Sequence, residues 1–269
     1  MVFMEKLKAE SYLLFLGTGS STGVPVIGCT CDTCKSDDPK NQRLRTSALL
    51  NLHGKKMLLD AGPDIRCQAL KYHINAIDAL FLTHTHYDHV GGVEELRIFN
   101  FLQKNKMPCF LSQASMDSFK RLFYYHFNEK SQFTNYTAEF EFKVLDNVKG
   151  SFEALGNHFT YFGYTQGGMD VLGVRVGNLA YVTDIKEYPE TIFDHLQGLD
   201  TLVVSAQRFG RSAIQFSFDE ACEFALRVNA KSTYFTHLSH EIEHQHGEAL
   251  LRQGMHLAYD GLKIPISIL

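Results

Sequence analysis

Four side chains able to hold a metal ion stand within six residues in the run Thr83-His84-Thr85-His86-Tyr87-Asp88-His89. The run follows the apolar stretch Ala79-Leu80-Phe81-Leu82 and precedes Gly91-Gly92. That pattern predicts a buried strand ending in a loop that opens a helix. On an extended segment side chains two residues apart point the same way, so His84 and His86 can share one ion. Asp88 and His89, turning away from them, can reach a second. Further candidates recur at equivalent places: His158 follows a predicted strand Ser151–Leu155, Asp184 ends Leu179–Thr183, and His237 ends Ser232–Thr236. Each alone would be an ordinary polar residue. Gathered from several strand ends, they can converge on one cleft with the histidine run.

A second set is made of sulfur. Of six cysteines, Cys29, Cys31 and Cys34 are bunched, while Cys67, Cys109 and Cys222 are scattered. In a reducing compartment bunched thiols point to metal binding, not disulfides. The scattered ones read as small buried apolar residues.

The elements that must position these groups follow from the patterning. Tyr12–Leu16 reads as a first strand, ended by Gly17-Thr18-Gly19, with a loop of nearly thirty residues after it. A loop of that length inside a compact domain is usually functional or tied to a ligand. Ala48–Leu52 and Lys56–Asp60 read as a hairpin turning at His53-Gly54. Helical patterns lie near Asp64–Tyr72, Glu94–Gln103, Ser115–Phe127, Pro189–Leu196 and His246–Gln253, and Ser217–Val228 carries a capping box, with Glu220 three residues after Ser217. Other strands are expected at Phe140–Leu145, Val171–Val176, Thr201–Ser205 and Lys263–Ile268. Strands mixed with helices, and no linker rich in Pro, Gly or Ser, favour one layered α/β domain over residues 1–269.

Bulk properties narrow the class. Apolar residues make up 45% of the 269-residue chain, enough for a sizeable core. No apolar run approaches the ~20 residues of a membrane span, and Met1–Glu10 lacks the apolar stretch of a signal peptide, so a cytoplasmic protein is expected. A net charge of −4 disfavours nucleic acid as a partner.

The motif His84-x-His86-x-Asp88-His89, with a later His, an Asp and a final His, resembles the metallo-β-lactamase superfamily. The resemblance implies a four-layer αβ/βα sandwich. It implies that His84, His86 and His158 hold one divalent ion, that Asp88, His89 and His237 hold a second, and that Asp184 bridges them, with Asp88 and Asp184 the catalytic carboxylates. Two such cations can share a hydroxide and stabilise attacking and leaving oxygens. Imidazole and carboxylate suit zinc or manganese alike.

Within that superfamily the second constellation is more specific. Cys29-x-Cys31-x-x-Cys34 with His240, three residues past His237, makes a closed Cys₃His set for one structural zinc, tying a Cys-rich loop at about 17–45 to the C-terminal region. Together with Gly17-Thr18-Gly19, Gly23-Val24-Pro25 and Ala258-Tyr259-Asp260-Gly261, it resembles the phosphoribosyl 1,2-cyclic phosphate phosphodiesterase family of the carbon–phosphorus lyase pathway, whose branch is also called coenzyme PQQ biosynthesis protein B-like. The implied activity is hydrolysis of a small, cyclic phosphodiester. The alternatives are an RNA-processing nuclease like the transfer-RNA 3′ processing enzymes, and a metal-binding cofactor-biosynthesis protein with little hydrolytic activity. The partner expected is a small molecule, with no membrane, and a homodimer is left open.

One departure stands out. That family is expected to carry a proton-donating His before the penultimate helix, where Gln215-Phe216-Ser217 stands and Phe216 is read as the replacement. Arg208, Arg211, His244 and His246 are the nearby substitutes. Among weaker signals, Gly17–Gly23 could cradle phosphate, Arg43 and Arg45 could meet one, Tyr124–Phe127 could line a substrate mouth, and Asp60 could orient a ligand histidine.

Overall fold

The computed structural model describes residues 11–127, 137–146 and 148–268; the expectation for Met1–Glu10 lies outside them. Among the described residues two seven-stranded sheets carry the fold. The first contains β1 (Tyr12–Gly17), β2 (Ser47–Leu52), β3 (Lys55–Leu59), β4 (Ala79–Phe81), β5 (Met107–Ser112), β6 (Phe140–Leu145) and, from the C-terminal end, β14 (Lys263–Pro265). The second contains β7 (Lys149–Ala154), β8 (Asn157–Gln166), β9 (Met169–Val176), β10 (Leu179–Val182), β11 (Thr201–Ser205), β12 (Ser232–Thr236) and β13 (Met255–Leu257). Their orders are β14-β1-β2-β3-β4-β5-β6 and β13-β12-β11-β10-β9-β8-β7.

Alternation along the strands builds the layers. Leu13, Phe15, Leu50, Met57 and Leu59 face Tyr161, Val174, Tyr181 and Val203 of the other sheet, forming the core between them. Their neighbours Leu16, Leu49, Leu58 and Leu80 point outward, against Ile65, Val93, Leu96, Phe99 and Phe119 from the covering helical segments. On the second sheet Ala180, Val182, Leu202 and Val204 turn outward to Ile192, Phe218, Ala221 and Phe224. Strands buried on both faces read as continuous apolar runs, which is why β4 and β11 lack polar alternation. The result is the expected four-layer αβ/βα sandwich.

Several predicted boundaries hold closely. The hairpin turns at His53 and Gly54, both with positive φ (52° and 92°), the backbone that matches the twist of the flanking strands. Helix Phe218–Val228 starts in the capping box formed by Ser217 and Glu220. Strands β5, β8 and β13 lie outside those expected from the apolar patterning, and β8 bears on the site.

Polarity of the strands positions the site. β3 and β4 are parallel, as are β10, β11 and β12. Their C-terminal ends lie together, the place where open α/β sheets collect functional groups.

Candidate metal centre

Asp60 follows β3, His84 follows β4, Asp184 follows β10 and His237 follows β12. Asp60, Asp184 and His237 all sit at positive φ (63°, 59° and 59°), a backbone region that side chains other than glycine rarely adopt. Each costs of the order of 1–3 kcal/mol and is held by its surroundings. The histidine run is held by Ala61–Gly62: Ala61 N–H donates to His89 O at 2.8 Å, and Gly92 N–H to Ala61 O at 2.8 Å. A Cβ on Gly62 would fall 2.0 Å from the Asp88 carbonyl oxygen, so only glycine permits this approach.

Two groups of ligand atoms result: His84, His86 and Asp184 in one, Asp88, His89 and His237 in the other. His84 Nε2 and His86 Nδ1 converge to 3.0 Å. Asp184 divides its oxygens. Oδ1 lies 3.4 Å from both His89 Nε2 and His237 Nε2, and Oδ2 lies 3.7 Å from His84 Nε2. Asp88 Oδ2 lies 3.3 Å from His237 Nε2 and 3.5 Å from His89 Nε2. His84, His89 and His237 are fully buried, whereas His86 is half-buried beside the exposed Tyr87, which marks the open side of the cleft.

Asp60 arranges both groups from behind. It is fully buried, accepts from Thr83 N–H at 2.8 Å and pairs with His89 Nδ1 at 2.8 Å. The Thr83 hydroxyl donates to Asp60 Oδ2 at 2.8 Å and stands 3.0 Å from His84 Nδ1. One carboxylate thus selects the Nδ1–H tautomer of a histidine in each group, aiming both Nε2 lone pairs into the cleft. The sequence reading anticipates this role for Asp60, but not the relay through Thr83.

Burial pushes the Asp60 carboxyl up, against the pull of His89. For Asp184, burial works upward too, but His237 and His89 outweigh it and hold the carboxyl well below its usual range. Asp88 is likewise held low despite burial, chiefly by His89 and His237. Burial lowers His84 far below the ordinary imidazole value, with the neighbouring His89 adding to it. His89 goes the other way: Asp184, Asp60 and Asp88 overcome its desolvation. Buried carboxylates facing imidazoles form a cavity of negative charge that divalent cations would neutralise. Among the described residues His89 Nε2 is buried there without a hydrogen bond. The residues fit such ions.

His158 does not join them. It sits at the second position of β8, cross-strand from Glu153, and its Nδ1 pairs with Glu153 Oε1 at 2.6 Å on the exposed surface. The strand read as ending near His158 is β7, and β8 then runs eight residues further before reaching the cleft, roughly 26 Å at 3.3 Å per residue. Gln166 stands at that far end. Its Nε2 donates to Asp184 Oδ2 at 2.9 Å. The Phe216 expectation is corrected in the same way: Phe216 packs in the core against Tyr188 and Phe224, while its neighbour Gln215 donates Nε2–H to Asp184 Oδ2 at 2.5 Å. Both glutamines escape a reading built on charged and imidazole ligands. The signal that could find Gln166 is the aromatic strand pattern Phe159, Tyr161, Tyr164, which ends where Asp184 and His237 end theirs.

Arg43, Arg45 and the Gly17–Gly23 loop resolve into scaffolding. Arg43 is 1% exposed and donates to the carbonyls of Ser239 (3.0 Å) and Ile242 (2.8 Å). Arg45 pairs with Asp64 at 2.9 Å. In the Gly17–Gly23 loop, the N–H groups of Gly19, Ser20 and Gly23 are bound to Leu44 O, Leu238 O and Ser20 O, so these amides are not free to cradle phosphate. Asp260 ties that loop to the rest by accepting from Thr18 N–H at 2.9 Å and Leu44 N–H at 2.8 Å. Of the proposed substitute donors, Arg208 pairs with Glu241 and His244 packs on Tyr259.

The cysteine set assembles as a second group. Cys29, Cys31 and Cys34 place their sulfurs 3.2, 3.4 and 3.6 Å from His240 Nδ1. Zinc bonds of about 2.3 Å to sulfur and 2.0–2.1 Å to nitrogen, meeting tetrahedrally, would set that separation near 3.5 Å.

Comparison with known proteins decides the family. Residues 55–238 match the Beta-lactamase superfamily domain. The chain belongs to the metallo-β-lactamase superfamily. Among solved members, a structure described as a new diphosphatase from the PhnP family is 33% identical, superposes with a TM-score of 0.88, and aligns over 96% of this chain and 98% of that one. Zn²⁺-bound PqqB from Methylobacterium extorquens shares the fold at 17% identity and a TM-score of 0.75, over 95% of this chain and 100% of that one. A curated octanoyltransferase from Porphyromonas gingivalis is 29% identical over 260 residues, 93% of this chain. The chain spans about half the length of that relative.

Proposed function

We propose that this superfamily member is a dinuclear metal-dependent phosphodiesterase acting on a small phosphodiester, a cyclic phosphate first among candidates. The observation that carries the reading is the division of Asp184, whose Oδ1 faces His89 and His237 while Oδ2 faces His84. One carboxylate between two ligand groups is what a bridged pair of cations needs. The likeness to a diphosphatase at 33% identity supports chemistry at phosphorus. The partner in this reading is a small molecule, in keeping with a net charge of −4.

Two divalent ions held there would supply Lewis-acid stabilisation of charge on the phosphoryl oxygens and an activated water at neutral pH. The chain's own residues do the rest. Asp60 and Thr83 fix the histidine tautomers, and Asp184 and Asp88 hold negative charge at the floor of the cleft. Gln215 donates a hydrogen bond to Asp184 but has no titratable proton, so in this reading departure of the leaving group leans on that group's own acidity. General acid catalysis is typically worth about 10²–10⁴-fold. Rates should therefore rise steeply from alkyl to aryl or phosphoryl leaving groups.

The test is hydrolysis of a small cyclic phosphodiester, and of an aryl phosphodiester, by Mn²⁺-loaded protein with His84→Ala as the blank. A rate that vanishes in the variant supports the proposal. Absence of metal-dependent hydrolysis of both substrates, with bound metal verified, refutes it.

A further inference from the structure

Gln166 and Gln215 reach the same oxygen, Asp184 Oδ2, with their Nε2 groups at 2.9 and 2.5 Å. They are 4% and 3% exposed. The Oε1 atom of each is buried without a hydrogen-bond partner among the described residues. Folded proteins rarely keep buried acceptors unsatisfied, and those they keep call for an explanation. Here the explanation lies beside them, because Oδ2 is the oxygen turned toward His84 and His86.

The two ligand groups are unequal. One has Asp88, His89 and His237 together with Asp184 Oδ1. The other has His84, His86 and Asp184 Oδ2. A carboxamide oxygen is a neutral, hard donor that suits Mg²⁺ or Mn²⁺ better than zinc. The two ends of a carboxamide exchange places by a half-turn about the last side-chain bond, and neighbours select which end faces inward. A bare carboxylate selects the N–H; a cation selects the oxygen. Gln166 is fixed at the end of a ten-residue strand, while Gln215 lies in a loop held by Ser212.

We propose that Gln166 is a metal ligand through Oε1, completing the His84–His86–Asp184 group, and that Gln215 positions Asp184. This rests on the dinuclear reading above. The two positions then differ in kind. The Asp88–His89–His237 ion is firmly bound, and the Gln166 ion is exchangeable, with a smaller margin of Zn²⁺ over Mn²⁺ than an imidazole in place of the carboxamide would give.

The experiment is Mn²⁺ titration of the full chain after dialysis against a chelator, counting bound ions by loss of the aqueous Mn²⁺ resonance signal. Wild-type protein should show two classes of site at least tenfold apart in Kd. Gln166→Leu should lose the weaker class and keep the tighter one, in protein whose metal-free far-ultraviolet circular dichroism matches that of the wild type. Gln166→His should tighten the weaker class tenfold or more and widen the margin by which Zn²⁺ displaces Mn²⁺ from it; this variant carries the test if the leucine variant does not fold. Two wild-type classes in Gln166→Leu, or an unaltered weaker class in Gln166→His, would overturn the assignment alone. So would loss of the weaker class in Gln215→Leu with its retention in Gln166→Leu. A wild-type chain that binds no more than one Mn²⁺ would overturn the dinuclear reading as well.

Discussion

Replacing Asp60 by asparagine changes one atom of the side chain and should disable both halves of the metal centre. The carboxylate is fully buried and makes its contacts with two distinct oxygens: Oδ1 accepts from Thr83 N–H at 2.8 Å, and Oδ2 from the Thr83 hydroxyl and His89 Nδ1, each at 2.8 Å. Asparagine can keep the first contact with its oxygen. Its amide NH₂ then stands where Oδ2 was, opposite the N–H of His89. Two donors face one another unless His89 moves its proton to Nε2, and a protonated Nε2 cannot bind a cation. The Thr83 hydroxyl loses its shorter acceptor and keeps only Oδ1 at 3.1 Å, which loosens its hold on His84 Nδ1, 3.0 Å away. Losing a carboxylate behind a ligand histidine typically costs 10–100-fold in metal affinity, about 1.4–2.7 kcal/mol. Leaving one buried donor unpaired costs a further ~1–3 kcal/mol of folding stability. Competition with a chromophoric chelator gives the first quantity, and denaturant midpoints of the metal-free chain give the second. An Asp60→Asn protein that holds its ions with wild-type affinity would refute the claim that Asp60 sets the histidine tautomers.

Asp184→Ala should abolish hydrolysis and remove at least one ion per chain, because both ligand groups lose an oxygen; full activity would sink its bridging role. Cys31→Ser should cost one zinc per chain and lower the melting temperature while leaving the Asp88 group loaded, and unchanged zinc content by elemental analysis would count against a structural site. In zinc-free protein, the backbone N–H of Cys34 with the hydrogen bonds of Cys29 and His240 lowers the Cys31 thiol to about 6, whereas desolvation pushes Cys34 up to about 11. Cys31 is exposed, so iodoacetamide should modify it before Cys34, at a rate that grows as pH rises through about 6 and that added zinc suppresses. Peptide mapping that finds Cys34 labelled first would contradict this. Arg43→Met should destabilise the fold by several kcal/mol, about 1–3 for each carbonyl left unpaired at Ser239 and Ile242, read as a shifted denaturant midpoint; a wild-type midpoint would show that Arg43 does not hold the cysteine loop.

The local parts of this protein were legible in the chain. Apolar runs bounded by turn residues marked β1, β2, β3, β4 and β11, the capping box marked the helix at Phe218, and the spacing of His84, His86, Asp88 and His89 announced a metal-binding loop. These signals lie within a few residues of one another, where backbone geometry alone sets which side chains share a direction. Cys29, Cys31 and Cys34 belong to the same class, and His240 was found by its distance from His237. What the tertiary structure decided was which distant groups meet. His158 and Gln166 lie on the same strand, and only the register of β8 against β7 and β9 shows that its far end reaches Asp184. Gln215 and Phe216 are adjacent, yet one faces the cleft and the other the core, because the loop that carries them sends successive side chains to opposite sides. The positive-φ backbones of Asp60, Asp184 and His237 are only weakly signalled by residue type, Asp and His being among the side chains that tolerate that region. Packing around the strand ends imposes them, and they aim the side chains that make the site.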